Sequence, residues 1–97
     1  MIIYISGQMT GIKDYNIPKF NETERMLKKL FPSAVVINPA RHPAGLDYDT
    51  YMEYTMIDIK VCDTVYQLSG WQKSKGARAE HKEAARLSKE IIQEVRQ

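Results

Sequence analysis

The chain has 97 residues, 43% of them hydrophobic and 27% charged. That length sets a single domain, residues 1–97, and that composition excludes intrinsic disorder. With 14 Lys and Arg against 12 Asp and Glu, the formal charge of +2 is too small to mark a nucleic-acid-binding surface.

The single cysteine, Cys62, forbids an internal disulfide, and with two histidines it cannot build a structural zinc site. A reducing cytoplasm suits such a chain, and neither a metal nor another cofactor is expected. No apolar run reaches the roughly 18 residues of a membrane span. The first residues also lack the basic region of a signal peptide.

In chain order, Met1 to Ile5 is a short apolar, β-branched run ended by Ser6-Gly7, which predicts a buried strand. Gly7 to Asn16 reads as a loop. Pro18 opens a helix, since its missing amide proton costs nothing in the first turn. Phe20, Thr23, Met26, Leu27 and Leu30 then recur at three- and four-residue spacing, the mark of an amphipathic helix. Phe31-Pro32-Ser33 stops it, and Ala34 to Ile37 predicts a second buried strand closed by Asn38-Pro39.

Ala40 to Asp47 is an irregular connection in which His42 carries no signal. A second helix is expected from about Tyr48 to Ile59 or Val61, capped by Asp47 or Asp49. Its Tyr51, Met52, Thr55 and Met56 read as core or dimer packing. Thr64 to Leu68 predicts a third strand, with Cys62 buried before it and Asp63 fixing its entry. Trp71 to Lys75 is a loop, and Gly76 begins a third helix rich in Ala, Arg, Lys and Glu. Ile91, Ile92 and Val95 fit either a continued helix or, after a break near Ser88-Lys89, a fourth strand; the strand is preferred.

Alternating strands and helices imply an α/β, Rossmann-like or flavodoxin-like three-layer fold with a small parallel sheet of about four strands. Such folds place ligands beyond the carboxyl ends of the strands, at a switch in strand order. Three segments fall there: Ser6 to Gly11, Asn38 to Arg41, and Ser69 to Gly76. Ser74 and Lys75 stand where loop turns to helix, a place of free amide protons suited to phosphate. Gly76 lets a ligand approach the backbone. Glu80 lies one turn further on the same face, about 5.4 Å along the axis. That rise roughly matches the span from a 5'-phosphate to the anomeric carbon of a ribose. The same residues also fit a plain helix cap at Ser74 and a solvated carboxylate at Glu80.

Tyr4 to Gly11, Asn38-Pro39-Ala40, Cys62 to Val65, Gly70-Trp71 and Ser74 to His81 together resemble the nucleoside 2-deoxyribosyltransferase-like family. The similarity is to its small phage- and bacteria-borne branch, near the 2'-deoxynucleoside 5'-phosphate N-hydrolases. The resemblance implies that Glu80 is a nucleophile that attacks the anomeric carbon and forms a glycosyl-enzyme. A carboxylate suits an oxocarbenium-like transition state.

Six residues before that glutamate, family members acting on nucleosides have aspartate, and those acting on 5'-monophosphates have serine. Ser74 stands there, flanked by Lys73 and Lys75, and an aspartate would repel a phosphate dianion. Asp58 matches by position an aspartate near the leaving base. Its separation from Asp63 is about one helical turn shorter than usual in the family, which leaves a surface helix-terminal aspartate as the other reading. Tyr4 resembles the family's pocket tyrosine, able to orient the carboxylate, or is a half-buried strand aromatic.

The residues expected to bind substrate are Ser6, Gly7, Met9, Gly11, Asn38, Trp71, Ser74 and Gly76. Trp71 can equally serve as a lid or a subunit interface. His81 and Arg78 are expected to be structural, with Arg78 paired to a helix carboxylate.

The expected activity is hydrolysis of the N-glycosidic bond of a (deoxy)nucleoside 5'-monophosphate. The alternatives are a nucleoside deoxyribosyltransferase and a non-catalytic nucleotide-binding module. The partner is a nucleotide or nucleoside, with no nucleic acid and no membrane. A small open sheet further implies a homodimer or higher oligomer that completes the cleft.

Overall fold

The structure is a computed structural model and describes residues 1–95. Its strands are β1 (Ile2–Ser6), β2 (Val35–Ile37), β3 (Thr64–Gln67) and β4 (Glu90–Gln93). Its helices are α1 (Ile17–Leu30), α2 (Tyr48–Val61) and α3 (Lys75–Arg86). All strand pairs are parallel, in the order β2-β1-β3-β4. The expected α/β three-layer architecture is therefore present, and the preferred strand reading of Ile91-Ile92 holds. Ser88 takes a left-handed backbone (φ 56°), which breaks α3 before β4 begins.

Side-chain alternation along β1 builds two cores. Ile3 and Ile5 pack on one face with Phe20 and Leu27 of α1. Tyr4 packs on the other with Ile59, Cys62, Val65 and Ala84, beneath α2 and α3. The chain runs from β1 to β2 on one side, then crosses back to β3 on the other. That reversal opens a crevice beyond the carboxyl ends of β1 and β3.

Local chemistry fixes the element ends. Pro18 sits in the first turn of α1. Asp47 caps α2 by accepting from the Thr50 amide at 2.8 Å. At the strand entry, Asp63 accepts from the Ile2 amide at 2.7 Å. Gly7 ends β1 where a Cβ would lie 2.8 Å from Leu68 Cδ1, so only glycine fits there without displacement.

Several expectations of burial fail for one reason, the narrowness of the sheet. β2 and β4 are edge strands, so Val35 and Ile92 are exposed, and Val95 lies beyond β4 in solvent. α1 covers only part of its face. Met26 and Leu30 consequently line an open apolar groove with Phe31, Tyr66 and Ile92 rather than the core. A charged residue is buried on α1 instead. Glu24 receives hydrogen bonds from Arg41 Nε (2.8 Å), Lys28 Nζ (2.6 Å) and Asn38 Nδ2 (3.0 Å). Arg41, ahead of Lys28 and Asn38, holds its carboxyl down at about 2 against the cost of burial.

Candidate active site

Glu80 lines the crevice. It lies on the α3 stripe Ala77–Glu80–Ala84, which faces the sheet, and only 4% of it is exposed. The two alanines keep the helix close, and the glutamate alone on that stripe reaches the strand. Ile2, Tyr4 and Ser6 share one face of β1 by alternation. Tyr4 Oη donates to Glu80 Oε2 at 2.9 Å, and Ser6 Oγ donates to Oε1 at 2.7 Å. Both carboxylate oxygens are thus held by neutral hydroxyls from β1. The reading of Glu80 as a solvated helix carboxylate is excluded, and so is that of Tyr4 as a merely half-buried aromatic.

No cation is bonded to Glu80 among the described residues. Burial raises its pKa from 4.5 to about 7, and the hydroxyls of Ser6 and Tyr4 only partly oppose this. Tyr4 itself is pushed well above its ordinary range, by burial first and then by Glu80.

The carboxylate forms one wall of a cleft of about 620 Å³, within the range of small-molecule sites. Gly7 and Met9 from the first loop, and Ser74 and Gly76 from the start of α3, line it as the sequence suggests. Ser74 Oγ accepts from the Ala77 amide at 3.1 Å, so it is a helix cap. Its own hydroxyl proton stays free to donate, so the cap and a phosphate contact are compatible. At Gly76 a Cβ would approach Met52 Sδ to 3.4 Å, so the glycine also seats α3 against α2.

Other expected residues lie elsewhere. Asn38 is buried and bonded to Asn21, Glu24 and the Ala40 amide, which leaves it shaping the β2 exit. Gly11 is an exposed turn residue at φ 89° and does not line the cleft. Trp71 stacks on His81 with ring centroids 4.5 Å apart, and His81 in turn bonds Gln67 at 2.8 Å. Arg78 donates to the Gln72 carbonyl at 2.7 Å rather than to a helix carboxylate.

Asp58 is not a surface residue. It sits 2.7 Å from His42 Nε2, and both side chains are mostly buried. Burial raises the Asp58 pKa, and His42 works against that rise.

The connection after β2 and one face of α2 supply walls that the sequence reading missed. His42 and the stretch from Pro43 to Leu46 line the cleft. So do Tyr48, Tyr51 and Met52, which correct the assignment of Tyr51 and Met52 to packing alone. The i, i+3, i+4 spacing from Tyr48 is the signal that could have put them on one face. Lys75 Nζ lies 4.7 Å above the ring of Tyr48, a residue that lines the cleft.

A family model described as "Domain of unknown function (DUF4406)" matches residues 1–93. The chain belongs to that family. No curated protein matches it. Among solved structures it is similar to a 2-desoxiribosyltransferase from Leishmania mexicana, with 19% identity and a TM-score of 0.75. That match covers 95% of this chain and 62% of the Leishmania chain, so this chain spans less than two thirds of that protein's length. It is also similar to the Clostridium botulinum CMP N-glycosidase, BcmB, at 18% identity and a TM-score of 0.64. There the match covers 96% of this chain and 67% of the other. The fold implied by the sequence resemblance is thus the fold of this DUF4406 chain.

The raised pKa of Glu80 makes a direct statement about stability. A group whose pKa rises on folding stabilises the fold below its unfolded value, here 4.5, and loses that contribution as pH climbs through about 7. The shift corresponds to ~3 kcal/mol once Glu80 is fully ionised. Thermal melts of Glu80→Gln should therefore lie above the parent at mildly alkaline pH and converge with it on the acid side. Parallel pH profiles for the two proteins would contradict this assignment.

Proposed function

We propose that the chain is an N-glycosidase acting on a (deoxy)nucleoside 5'-monophosphate, with Glu80 as nucleophile. The observation that carries the reading is the Glu80 carboxylate, fixed by Tyr4 and Ser6 at the wall of a ligand-sized cleft. The likeness of fold to a deoxyribosyltransferase and a CMP N-glycosidase supports the same class of reaction.

In this reading one Glu80 oxygen attacks the anomeric carbon as the carbon–nitrogen bond breaks. The bonding pair leaves with the base, which takes up a proton. Water then attacks the same carbon, the ester bond breaks, and its electron pair returns to Glu80. Tyr4 and Ser6 orient the carboxylate for attack. A second base in place of water would make the same intermediate a transferase. The phosphate rests on the Ser74 hydroxyl and the free amides at the start of α3, near Lys75. Gly7, Met9 and Gly76 bound the sugar and base.

A second copy of the chain completes the half-open cleft in this reading. Support comes from α2, whose outer face exposes Tyr54, Ile57 and Val61 at helical spacing beside the cleft-lining face.

Kinetics, binding and sedimentation test these proposals. Assay of free base from paired nucleosides and 5'-monophosphates should show release from the monophosphates. The acid limb of kcat/KM should rise with pH as Glu80 ionises. Ser74→Asp should lower kcat/KM for the monophosphate by roughly ten- to a hundredfold and spare the nucleoside, since it sets a carboxylate against the phosphate. Tight nucleotide binding with no release would favour a sequestering module. In sedimentation the parent should be a dimer or larger and Ile57→Glu a monomer; a monomeric parent at working concentration would remove the shared cleft.

A further inference from the structure

The departing base needs a proton, and Glu80 cannot give it while acting as nucleophile. We propose that His42 supplies that proton and that Asp58 is the residue positioning it, an inference that rests on the glycosidase reading above.

His42 lies in the irregular connection after β2, yet its ring is held on three sides. Nε2 is 2.7 Å from Asp58 Oδ2. Tyr54 packs tilted against the ring at a centroid distance of 5.3 Å, and Tyr51 meets it edge-on at 6.1 Å. Only 18% of the side chain is exposed. A surface histidine on a loop has no need of such fixing.

The held ring borders the same cleft as Glu80. The bond to Asp58 commits Nε2 and leaves Nδ1 as the functional nitrogen. Nδ1 makes no hydrogen bond to any described residue. No buried side-chain nitrogen or oxygen among the described residues lacks a partner, so Nδ1 is not sealed inside the protein. A carboxylate behind an imidazole fixes its tautomer and stabilises the imidazolium, while the far nitrogen handles the proton. Asp58 itself does not border the cleft; it reaches the reaction through His42.

The proton inventory closes over one turnover. As Glu80 attacks, the carbon–nitrogen pair moves onto the base nitrogen, and His42 Nδ1–H protonates the base, which leaves neutral. His42 is then a neutral imidazole. In the second half, Nδ1 takes a proton from the attacking water while the ester pair returns to Glu80. The imidazolium and the carboxylate are both restored.

Leaving-group dependence tests the assignment. The parent and His42→Gln are compared on a nucleoside 5'-monophosphate and on a para-nitrophenyl sugar 5-phosphate, whose phenolate departs without protonation. His42→Gln should lose roughly 10²–10⁴-fold in kcat/KM on the nucleotide and less than about tenfold on the nitrophenyl substrate. Asp58→Asn, which keeps the imidazole, should show the same split at smaller size, and it carries the test if His42→Gln does not fold. Equal losses on both substrates in variants with a native melt, or no loss on the nucleotide, would overturn the assignment and leave the glycosidase reading intact. A parent that turns over neither substrate would overturn both.

Discussion

The structure turns on one unusual contact, a buried carboxylate held by neutral hydroxyls and, among the described residues, by no cation. Glu80 takes hydrogen bonds from Tyr4 and Ser6, and burial drives its pKa up toward neutrality. A basic partner would have settled the charge, as Arg41 and Lys28 do for the other buried glutamate, Glu24. The contrast separates a charge-paired carboxylate from an unpaired one. Glu24 is neutralised and low in pKa, whereas Glu80 is oriented and costly to ionise.

The rest of the fold can be read as what makes that contact possible. Alternation along five residues of β1 sends Ile3 and Ile5 to one core and Tyr4 and Ser6 to Glu80. Ala77 and Ala84 let α3 approach the sheet on either side of the glutamate. The reversal of strand order between β1 and β3 opens a crevice beside it. The start of α3, capped by Ser74, lines the same crevice, so the helix N-terminus and the carboxylate share one element. A sheet of four strands is enough for this, but it leaves apolar surface on both of its faces. Met26 and Leu30 border an open groove on one side, and Ile57 and Val61 stand in solvent on the other.

Features set by short-range chemistry were legible in the sequence. The strand at Ile2–Ser6, the caps at Asp47 and Ser74, the break at Ser88 and the placing of Glu80 one turn into α3 all follow from neighbouring residues. Features set by topology were not. Whether Val35 and Met26 are buried depends on how many strands and helices lie alongside them, and an apolar spacing pattern carries no such count. His42 and Asp58 are sixteen positions apart, one in an irregular connection and one within a helix, and no periodicity joins them. Asn38 misled for a related reason. A polar residue at the carboxyl end of a strand suits a ligand, but here Glu24 and the Ala40 amide take up its side chain.

The central claim is that Glu80 becomes covalently attached to the sugar. It is tested most directly by mass spectrometry of the protein after brief reaction with a 2'-fluoro nucleoside 5'-monophosphate, a substitution that slows breakdown of the intermediate. The account predicts a mass increase equal to one sugar phosphate, mapped to Glu80 in the peptide digest. Turnover of the unmodified nucleotide with no adduct on Glu80, or an adduct on another carboxylate, would contradict it.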